Sequence, residues 1–125
     1  MMKSVFLETF ELSEKDGILL LHPTGERPDG SEVKAHKIIR DVKHKHLTDK
    51  MLLDMRDAHY PLTETQVGLR AASFSREVEA FNLAIVCLSA QSDMAEVLSR
   101  AHTKLSGTNK IFSSRDDAVE WLLSL

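Results

Sequence analysis

A short polar segment in the middle of the chain carries the residue types that most often do chemistry. Asp54, Arg56, Asp57 and His59 follow directly after an apolar run. Carboxylates beside an imidazole can act as an acid/base pair or as metal ligands. Alternation along an extended segment would place Asp54 and Asp57 on opposite sides, however, and no second set of ligands follows at metal spacing. The segment therefore favours an Arg–Asp ion pair that orders a loop, and neither a metal nor a cofactor is predicted.

The residues after this loop combine hydroxyl groups with a helix start. Thr63 and Gln66 have the spacing of a capping box, in which the hydroxyl accepts from a backbone amide and the glutamine reaches back. Thr63 is then a capping residue; the alternative is a regulated hydroxyl, because a phosphate there would lie at the positive end of the helix. Glu64 suits the first turn through the helix dipole alone, and it could also mimic a permanently phosphorylated loop. Thr65 adds a second hydroxyl beside it.

Two predicted elements position these residues. Residues 51–53 together with Met55 form a nearly continuous apolar run, which predicts a strand covered on both faces. Pro61 then interrupts regular structure, and an apolar stripe at helical spacing predicts a helix over about residues 63–80. The polar loop would thus join the carboxyl end of a buried strand to a helix N-terminus, which is where open α/β sheets meet ligands and partners.

The remaining segments predict an alternation of strands and helices. The chain opens with an antiparallel hairpin over residues 5–12 and 18–22, followed by a helix over about 30–46 that Asp29 and Glu32 cap. After the central strand and helix come a strand over 83–88 and a helix that begins at Ser92 and ends at Gly107. A strand over 110–112 and a last helix capped by Ser114 end the order. This order predicts a single α/β domain over residues 1–125, with a mixed, mostly parallel sheet of four to five strands flanked by helices. The residues expected in its core are Leu53, Met55, Ile85, Val86, Phe112 and Trp121.

Composition and missing motifs exclude several function classes. With 125 residues and a net charge of −3, the chain is ordinary for a globular protein and gives no global reason to bind nucleic acid or a membrane. The N-terminus reads as neither a signal peptide nor a membrane span, so we expect a cytoplasmic protein. The only cysteine, Cys87, lies in an apolar run and is predicted to be a buried, inert thiol. No phosphate loop or nucleophile elbow occurs, so the protein is predicted not to be an enzyme.

Several segments resemble the STAS domain superfamily, to which bacterial anti-sigma factor antagonists belong. Residues 17–39 (GILLLHPTGERPDGSEVKAHKII) resemble its opening strand, turn and helix, and residues 50–69 resemble its central strand and switch loop. Residues 83–89 and 110–122 resemble its third and fourth strand–helix units. The resemblance covers nearly the whole chain in order, and it implies a STAS-like fold and a non-enzymatic role in docking partner proteins.

The same resemblance implies a kinase-controlled loop, yet this chain departs from its pattern. The Asp-Ser-Ser-Gly-like motif of the family, counted without gaps from the strand, falls on Leu62, Thr63, Glu64 and Thr65. The usual phosphoacceptor is therefore replaced by Glu64. The chain is interpreted as a divergent member that lacks the usual phosphoacceptor motif.

Three functional hypotheses follow. The first is a module that binds a regulatory protein, such as a kinase or an anti-sigma-like partner, through a switch loop containing Asp57, His59, Thr63, Glu64 and Thr65. The second is a carrier of a small apolar or nucleotide ligand on the same fold. The third is a hydrolase built on Asp54, Asp57 and His59. Whether the chain pairs with itself stays open.

Overall fold

A six-stranded sheet lies at the centre of the molecule. The computed structural model describes residues 5–7, 10–27, 33–45 and 48–125. The sheet contains, in chain order, β1 (Val5–Leu7), β2 (Phe10–Lys15), β3 (Ile18–Pro23), β5 (Lys50–Asp54), β7 (Asn82–Val86) and β8 (Asn109–Phe112). A separate two-stranded sheet joins β4 (Gly25–Glu26) to β6 (Ala58–His59). The helices are α1 (Val33–His44), α2 (Glu64–Glu77), α3 (Ser92–Lys104) and α4 (Arg115–Leu123).

The strand directions confirm the predicted mixed, mostly parallel sheet. The strands lie side by side in the order β1-β2-β3-β5-β7-β8. The pairs β1–β2 and β2–β3 are antiparallel, whereas β3–β5, β5–β7 and β7–β8 are parallel. The sheet has more strands than the predicted four to five because residues 5–12 divide between β1 and β2, which pair with each other. The β2–β3 turn uses positive φ angles at Asp16 (56°) and Gly17 (77°).

Alternate side chains of the central strands pack into two hydrophobic cores, one on each face of the sheet. Met51 and Leu53 of β5 pack on the face covered by α1, α2 and α3. Leu52, between them, packs on the other face with Ala118 and Leu122 of α4. Because both faces are covered, β5 and β7 are apolar at every position between their end residues, which is why the sequence shows continuous runs there instead of alternation.

Two of the six predicted core residues are only half-buried. Leu53, Met55, Ile85 and Val86 are buried as predicted. Phe112 and Trp121 instead pack against each other at a ring-centroid distance of 5.7 Å, and each keeps part of its surface exposed. Phe112 lies on β8, the last strand at one edge of the sheet in the described part of the chain.

The ends of α1 and α2 differ from prediction. α1 ends at His44 rather than at residue 46, and its predicted start, with the caps Asp29 and Glu32, lies outside the described residues. α2 ends at Glu77 rather than at residue 80, because a turn from Val78 to Phe81 follows, in which the Phe81 amide donates to the Val78 carbonyl at 2.9 Å. α3 ends at Lys104, and the Gly107 amide closes its last turn, as predicted, by donating to the His102 carbonyl at 3.0 Å.

Gly107 also has a role that the sequence did not predict. The residue with positive φ after α3 is Ser106 (65°), whereas Gly107 lies against the ring of His102, where a Cβ atom would overlap the imidazole. His102 is fully buried, and its Nε2 bonds the Val78 carbonyl at 3.0 Å. Burial lowers the pKa of His102, so the ring is a neutral core group that joins α2 to α3.

Within the described residues no helix is long and apolar enough to cross a bilayer.

Candidate functional site

The functional residues gather at the edge of the sheet where the parallel strands end. Register pairs Asp54 with Val86 and Val86 with Phe112, so β5, β7 and β8 finish side by side. Because each helix returns the chain to the opposite edge, α2, α3 and α4 all begin here. α2 and α3 start on one face of the sheet and α4 starts on the other. We call this the carboxyl edge.

A buried carboxylate bound by two arginines organises the α4 side of the carboxyl edge. Asp54 is 1% exposed. Arg56 donates from Nε and Nη2 to its two oxygens at 2.9 and 2.8 Å. Arg115, the first residue of α4, donates from Nε and Nη2 to Asp54 Oδ2 at 3.1 and 2.8 Å. The predicted Arg–Asp pair is therefore confirmed, and Arg115 is a further partner that joins α4 to the end of β5.

The charge state of Asp54 follows from this network. Burial by itself would raise its pKa, but the hydrogen bonds from Arg56 and Arg115 outweigh burial and lower the pKa from 3.8 to about 2. The carboxylate is thus ionised at neutral pH and has its oxygens engaged. Such a group is suited to holding structure and unsuited to accepting a proton from a substrate.

The two-stranded sheet ties the chain after β3 to the loop after β5. β4 and β6 pair in parallel, and the Gly25 amide donates to the Asp57 carbonyl at 3.0 Å while the Arg27 amide donates to the His59 carbonyl at 2.7 Å. Side chains repeat the link, since His59 Nδ1 lies 2.8 Å from Glu26 Oε2. This places His59 on the surface, in an exposed pair.

His22 forms a second link between the same segments. Its Nε2 lies 2.8 Å from Asp57 Oδ2, and its Nδ1 lies 3.8 Å from Glu11 Oε1. Sequence reasoning assigned His22 no role, because a pairing across the parallel β3–β5 ladder has no signature in local spacing. The only signal is a histidine at the end of an otherwise apolar strand.

Gln91, the residue before α3, holds the loop between β5 and β6 by hydrogen bonds. The sequence did not indicate this role of Gln91. Its Nε2 donates to the Met55 carbonyl at 2.8 Å and to the Ala58 carbonyl at 3.1 Å. Its Oε1 accepts from the Leu88 amide at 2.9 Å. One side chain therefore joins the end of β7 to both ends of the loop between β5 and β6.

The N-terminus of α2 has the predicted capping box. Thr63 Oγ1 accepts from the Gln66 amide at 3.2 Å, and Gln66 Oε1 accepts from the Thr63 amide at 3.0 Å. Thr63, Glu64 and Thr65 are all exposed. The helix start is therefore fixed in conformation while its side chains face solvent.

An apolar cavity opens beside this helix start. It has a volume of about 70 Å³ and lies between the sheet, α2 and α3. Leu53, Met55, Phe74 and Leu98 form its floor, and Tyr60 and Leu62 of the loop form a wall. The other lining residues are Leu21, Pro23, Val67, Arg70, Ala71 and Met94. We call this the loop cavity.

The predicted acid/base residues do not converge. Asp54 faces its two arginines, Asp57 faces His22 and His59 faces Glu26, so no two of the three share a partner. Across the described ranges, no group of three or more histidine, cysteine or carboxylate side chains could hold a metal ion. The arrangement binds loops together and offers an ordered, exposed helix start next to an apolar cavity.

Comparison with solved structures identifies the fold. The chain superposes on the anti-sigma factor antagonist SpoIIAA in its unphosphorylated form with a TM-score of 0.64 and 13% identity, covering 93% of this chain and 99% of the other. An anti-sigma factor antagonist from Mycobacterium paratuberculosis gives a TM-score of 0.63 and 16% identity, covering 92% of this chain and 93% of the other. An uncharacterized protein with a SpoIIAA-like fold from Shewanella loihica gives 0.53 and 16%, covering 90% and 91%.

Sequence comparison adds no match. No family model and no curated protein sequence matches the chain. The likeness therefore lies in the arrangement of strands and helices over more than nine-tenths of the chain. It confirms the fold that the resemblance to STAS domains implied: this chain has the SpoIIAA-like fold.

Proposed function

We propose that the protein is a non-enzymatic interaction module of the cytoplasm, which docks a regulatory protein through the loop after β5 and the start of α2. The observation that carries the proposal is the exposed, capped N-terminus of α2 in a chain with the fold of anti-sigma factor antagonists. The partner class is a kinase or an anti-sigma-like protein. The docking residues are Asp57, His59, Thr63, Glu64 and Thr65, all of them exposed.

The geometry supports docking in preference to catalysis. The ionisable groups around the loop are engaged in pairs that fix the backbone, and Asp54 is held ionised by two arginines. A pre-ordered surface loses little conformational entropy when a partner binds, which favours affinity. Interaction through an ordered loop is therefore the activity that these contacts serve best.

Glu64 determines the regulatory state in this proposal. In it, Glu64 takes the position that the resemblance to STAS domains implies for the usual phosphoacceptor, and the loop would carry a permanent negative charge at the positive end of α2. Thr63 Oγ1 already accepts from the Gln66 amide, and a phosphate on it would displace that bond and meet the charge of Glu64. The module would then stay in one state, and phosphorylation of Thr63 would change affinity only modestly.

The experiment is a titration of the captured partner against four forms of the chain. The partner is isolated from native cell extract on the immobilised wild type, purified and titrated against wild type, Thr63→Glu, Glu64→Lys and Glu79→Lys. Glu79 is also exposed but lies beyond the other end of α2, so it controls for the reversal of charge. We expect Glu64→Lys to weaken binding by about tenfold or more and Thr63→Glu by less than about threefold.

Two results would contradict the proposal in different ways. If Thr63→Glu abolishes binding and Glu64→Lys does not change it, the loop is an ordinary phosphorylation switch displaced by one residue. If neither substitution changes binding, the partner docks elsewhere.

A second candidate function is a carrier of a small apolar ligand. The loop cavity favours it, because its floor is made of Leu53, Met55, Phe74 and Leu98. Native mass spectrometry of the protein purified from its own cells tests this function. A molecule that co-purifies with the wild type and is lost when Ala71, which also lines the cavity, is replaced by Leu would support it.

A further inference from the structure

The loop cavity lies on the proposed docking surface itself. Of its lining residues, Leu62 immediately precedes the capping residue Thr63, and Tyr60 lies two residues before Leu62. The Leu62 amide donates to the Tyr60 carbonyl at 2.8 Å, so the chain makes a tight turn around Pro61 and brings both side chains onto the cavity. Val67 and Arg70 line the cavity from the first two turns of α2. A partner that covers the start of α2 therefore also covers this opening.

The size of the cavity fits one side chain. Its volume of about 70 Å³ is well below the roughly 300–1,000 Å³ of pockets that enclose small-molecule ligands. Protein interfaces concentrate their binding energy in a few apolar or aromatic anchors that fill desolvated pockets near the centre of the contact. A cavity of this size on a docking surface is suited to an anchor of that kind.

The chemistry of the walls also favours an anchor over a free ligand. A small-molecule pocket usually offers a few polar groups that orient its ligand. The charged side chain lining this cavity, Arg70, is already engaged: its Nη1 donates to the Arg27 carbonyl at 2.9 Å, and its guanidinium lies 5.4 Å from the centre of the Tyr60 ring. A free apolar molecule would be held by contact area alone, whereas an anchor is held in place by the rest of its chain.

The charge around the opening indicates what flanks the anchor. Glu26, Asp57, Glu64 and Asp93 are exposed on the loops and first helical turns of the carboxyl edge. Glu64 and Asp93 are explained by their positions in the first turns of α2 and α3, where the helix dipole favours acids. Glu26 and Asp57 are paired with histidines instead, His59 and His22, each at 2.8 Å. These four carboxylates outnumber the one arginine of the cavity lining, Arg70, so the surface complements lysine or arginine on a partner.

We propose that the loop cavity receives one apolar anchor of the protein partner, a leucine, isoleucine, methionine or phenylalanine side chain flanked by basic residues. This inference rests on the proposed function and adds to it the chemistry of the partner's segment. The anchor enters between Leu62 and Val67 and contacts Phe74 and Leu98, while its basic neighbours face Glu64 and Asp57.

The test uses a displayed library of linear peptides selected on the wild-type chain. Enriched peptides are then titrated against wild type, Ala71→Leu and Ala101→Leu. Ala71 lines the cavity, so leucine there fills it from inside. Ala101 is half-buried near the end of α3, far from the carboxyl edge, and its replacement controls for added apolar volume. Thermal unfolding checks that each variant folds, and Ala71→Val replaces Ala71→Leu if the larger side chain prevents folding.

We expect the enriched peptides to share one large apolar residue beside lysine or arginine. Replacing that residue by alanine, or Ala71 by leucine, should each weaken binding by about tenfold or more, and Ala101→Leu should leave binding unchanged. Peptides without a common apolar residue, or with equal affinity for wild type and Ala71→Leu, would overturn the inference. A third result would also overturn the inference. If added decanoate or indole shifts the NMR resonances of Tyr60 and Leu62 but does not compete with any enriched peptide, the cavity is a site for small ligands.

The captured partner separates failure of this inference from failure of the proposed function. If its binding depends on Glu64 but is the same for wild type and Ala71→Leu, the docking function stands and the anchor is wrong. If it depends on neither residue, both are wrong.

Discussion

Two helices begin at the same edge of the sheet and are held in opposite ways. α2 starts with a capping box made only of its own residues, Thr63 and Gln66, and its first turn faces solvent. α4 starts with the cap Ser114, and its first residue, Arg115, is bound to the buried carboxylate of Asp54 on a neighbouring strand. One helix start is therefore held locally, and the other is held by the core of the molecule.

This difference indicates that the start of α2 is suited to binding a partner and that the start of α4 stabilises the fold. A local cap fixes backbone geometry at a cost of about 1 kcal/mol if it is lost, so side chains around it can change without affecting the fold. A buried ion pair is costly to break because it leaves an uncompensated charge. We therefore expect substitutions at the α4 start to affect stability and substitutions at the α2 start to affect binding.

The largest effect is expected from removing the Asp54 carboxylate. Asp54→Ala leaves Arg56 and Arg115 without their shared acceptor, and we expect the free energy of unfolding to fall by about 3 kcal/mol. Both arginines keep about a third of their surface in water (33% and 37%), which places the loss at the lower end for buried pairs. Urea denaturation followed by circular dichroism measures it.

The matched control is Asp57→Ala on the same loop. Asp57 is 68% exposed and has a histidine partner, His22. Its loss should change stability by less than about 1 kcal/mol. Equal losses in the two variants would show that the α4 start is no better anchored than the exposed loop.

The next effect is a loss of stability in acid that depends on Asp54. Its pKa is 3.8 when unfolded and about 2 in the folded chain, so the ionised form stabilises the fold above pH 3.8. That stabilisation, about 2 kcal/mol, is lost as the pH falls toward 2. Urea midpoints of the wild type and Asp54→Asn, compared from pH 6 to pH 2, should converge in acid. Midpoints that stay parallel over this range would contradict the lowered pKa.

A smaller effect is expected at the α2 cap. Thr63→Ala removes the acceptor for the Gln66 amide and should lower stability by about 1 kcal/mol. Thr63→Ser keeps the hydroxyl and should restore most of that loss. Thermal unfolding of the three forms makes the comparison. A loss as large as that of Asp54→Ala would mean that α2 is as closely coupled to the core as α4.

The smallest expected effect has the opposite sign. Gly68 is exposed in the middle of α2, and a Cβ there would meet nothing within 4 Å. Gly68→Ala should therefore raise stability by about 0.5–1 kcal/mol, because alanine favours the helix and restricts the unfolded chain. If the α2 surface docks a partner closely at this point, the same variant should bind more weakly although it is more stable. Unchanged binding would place the contact nearer to Thr63 and the loop cavity.

Local pattern and long-range pairing account for what sequence could and could not predict. The buried strand, the Thr63 cap and an Arg–Asp pair in the loop depend on residues at most a few positions apart, and the sequence predicts all three. Which aspartate pairs with Arg56 is known only from the structure. The roles of His22, Gln91 and Arg115 depend on strand order and on which helix packs on which face. Parallel pairing brings together residues separated by a whole helix, and their spacing carries no trace of the contact.

The same reasoning explains the errors in the predicted core. Phe112 and Trp121 have the residue types of a core, yet their burial depends on whether β8 is central or at the edge. Gly107 ends α3 through its amide, as predicted, but the ring of His102 is what requires a glycine there, and the sequence did not predict that contact. In both cases the residue type is informative, but its role depends on a contact with a residue or strand that local sequence does not identify.

The exposed carboxylates around the loop cavity also bear on how fast a complex forms. Glu26, Asp57 and Glu64 lie at the same edge as the cavity, so their field is directional with respect to the docking surface. A basic partner would be oriented before contact, and electrostatic steering of this kind raises association rates and weakens with added salt. The carboxylates would thus determine the association rate constant of the partner, and the apolar cavity would determine its dissociation rate constant.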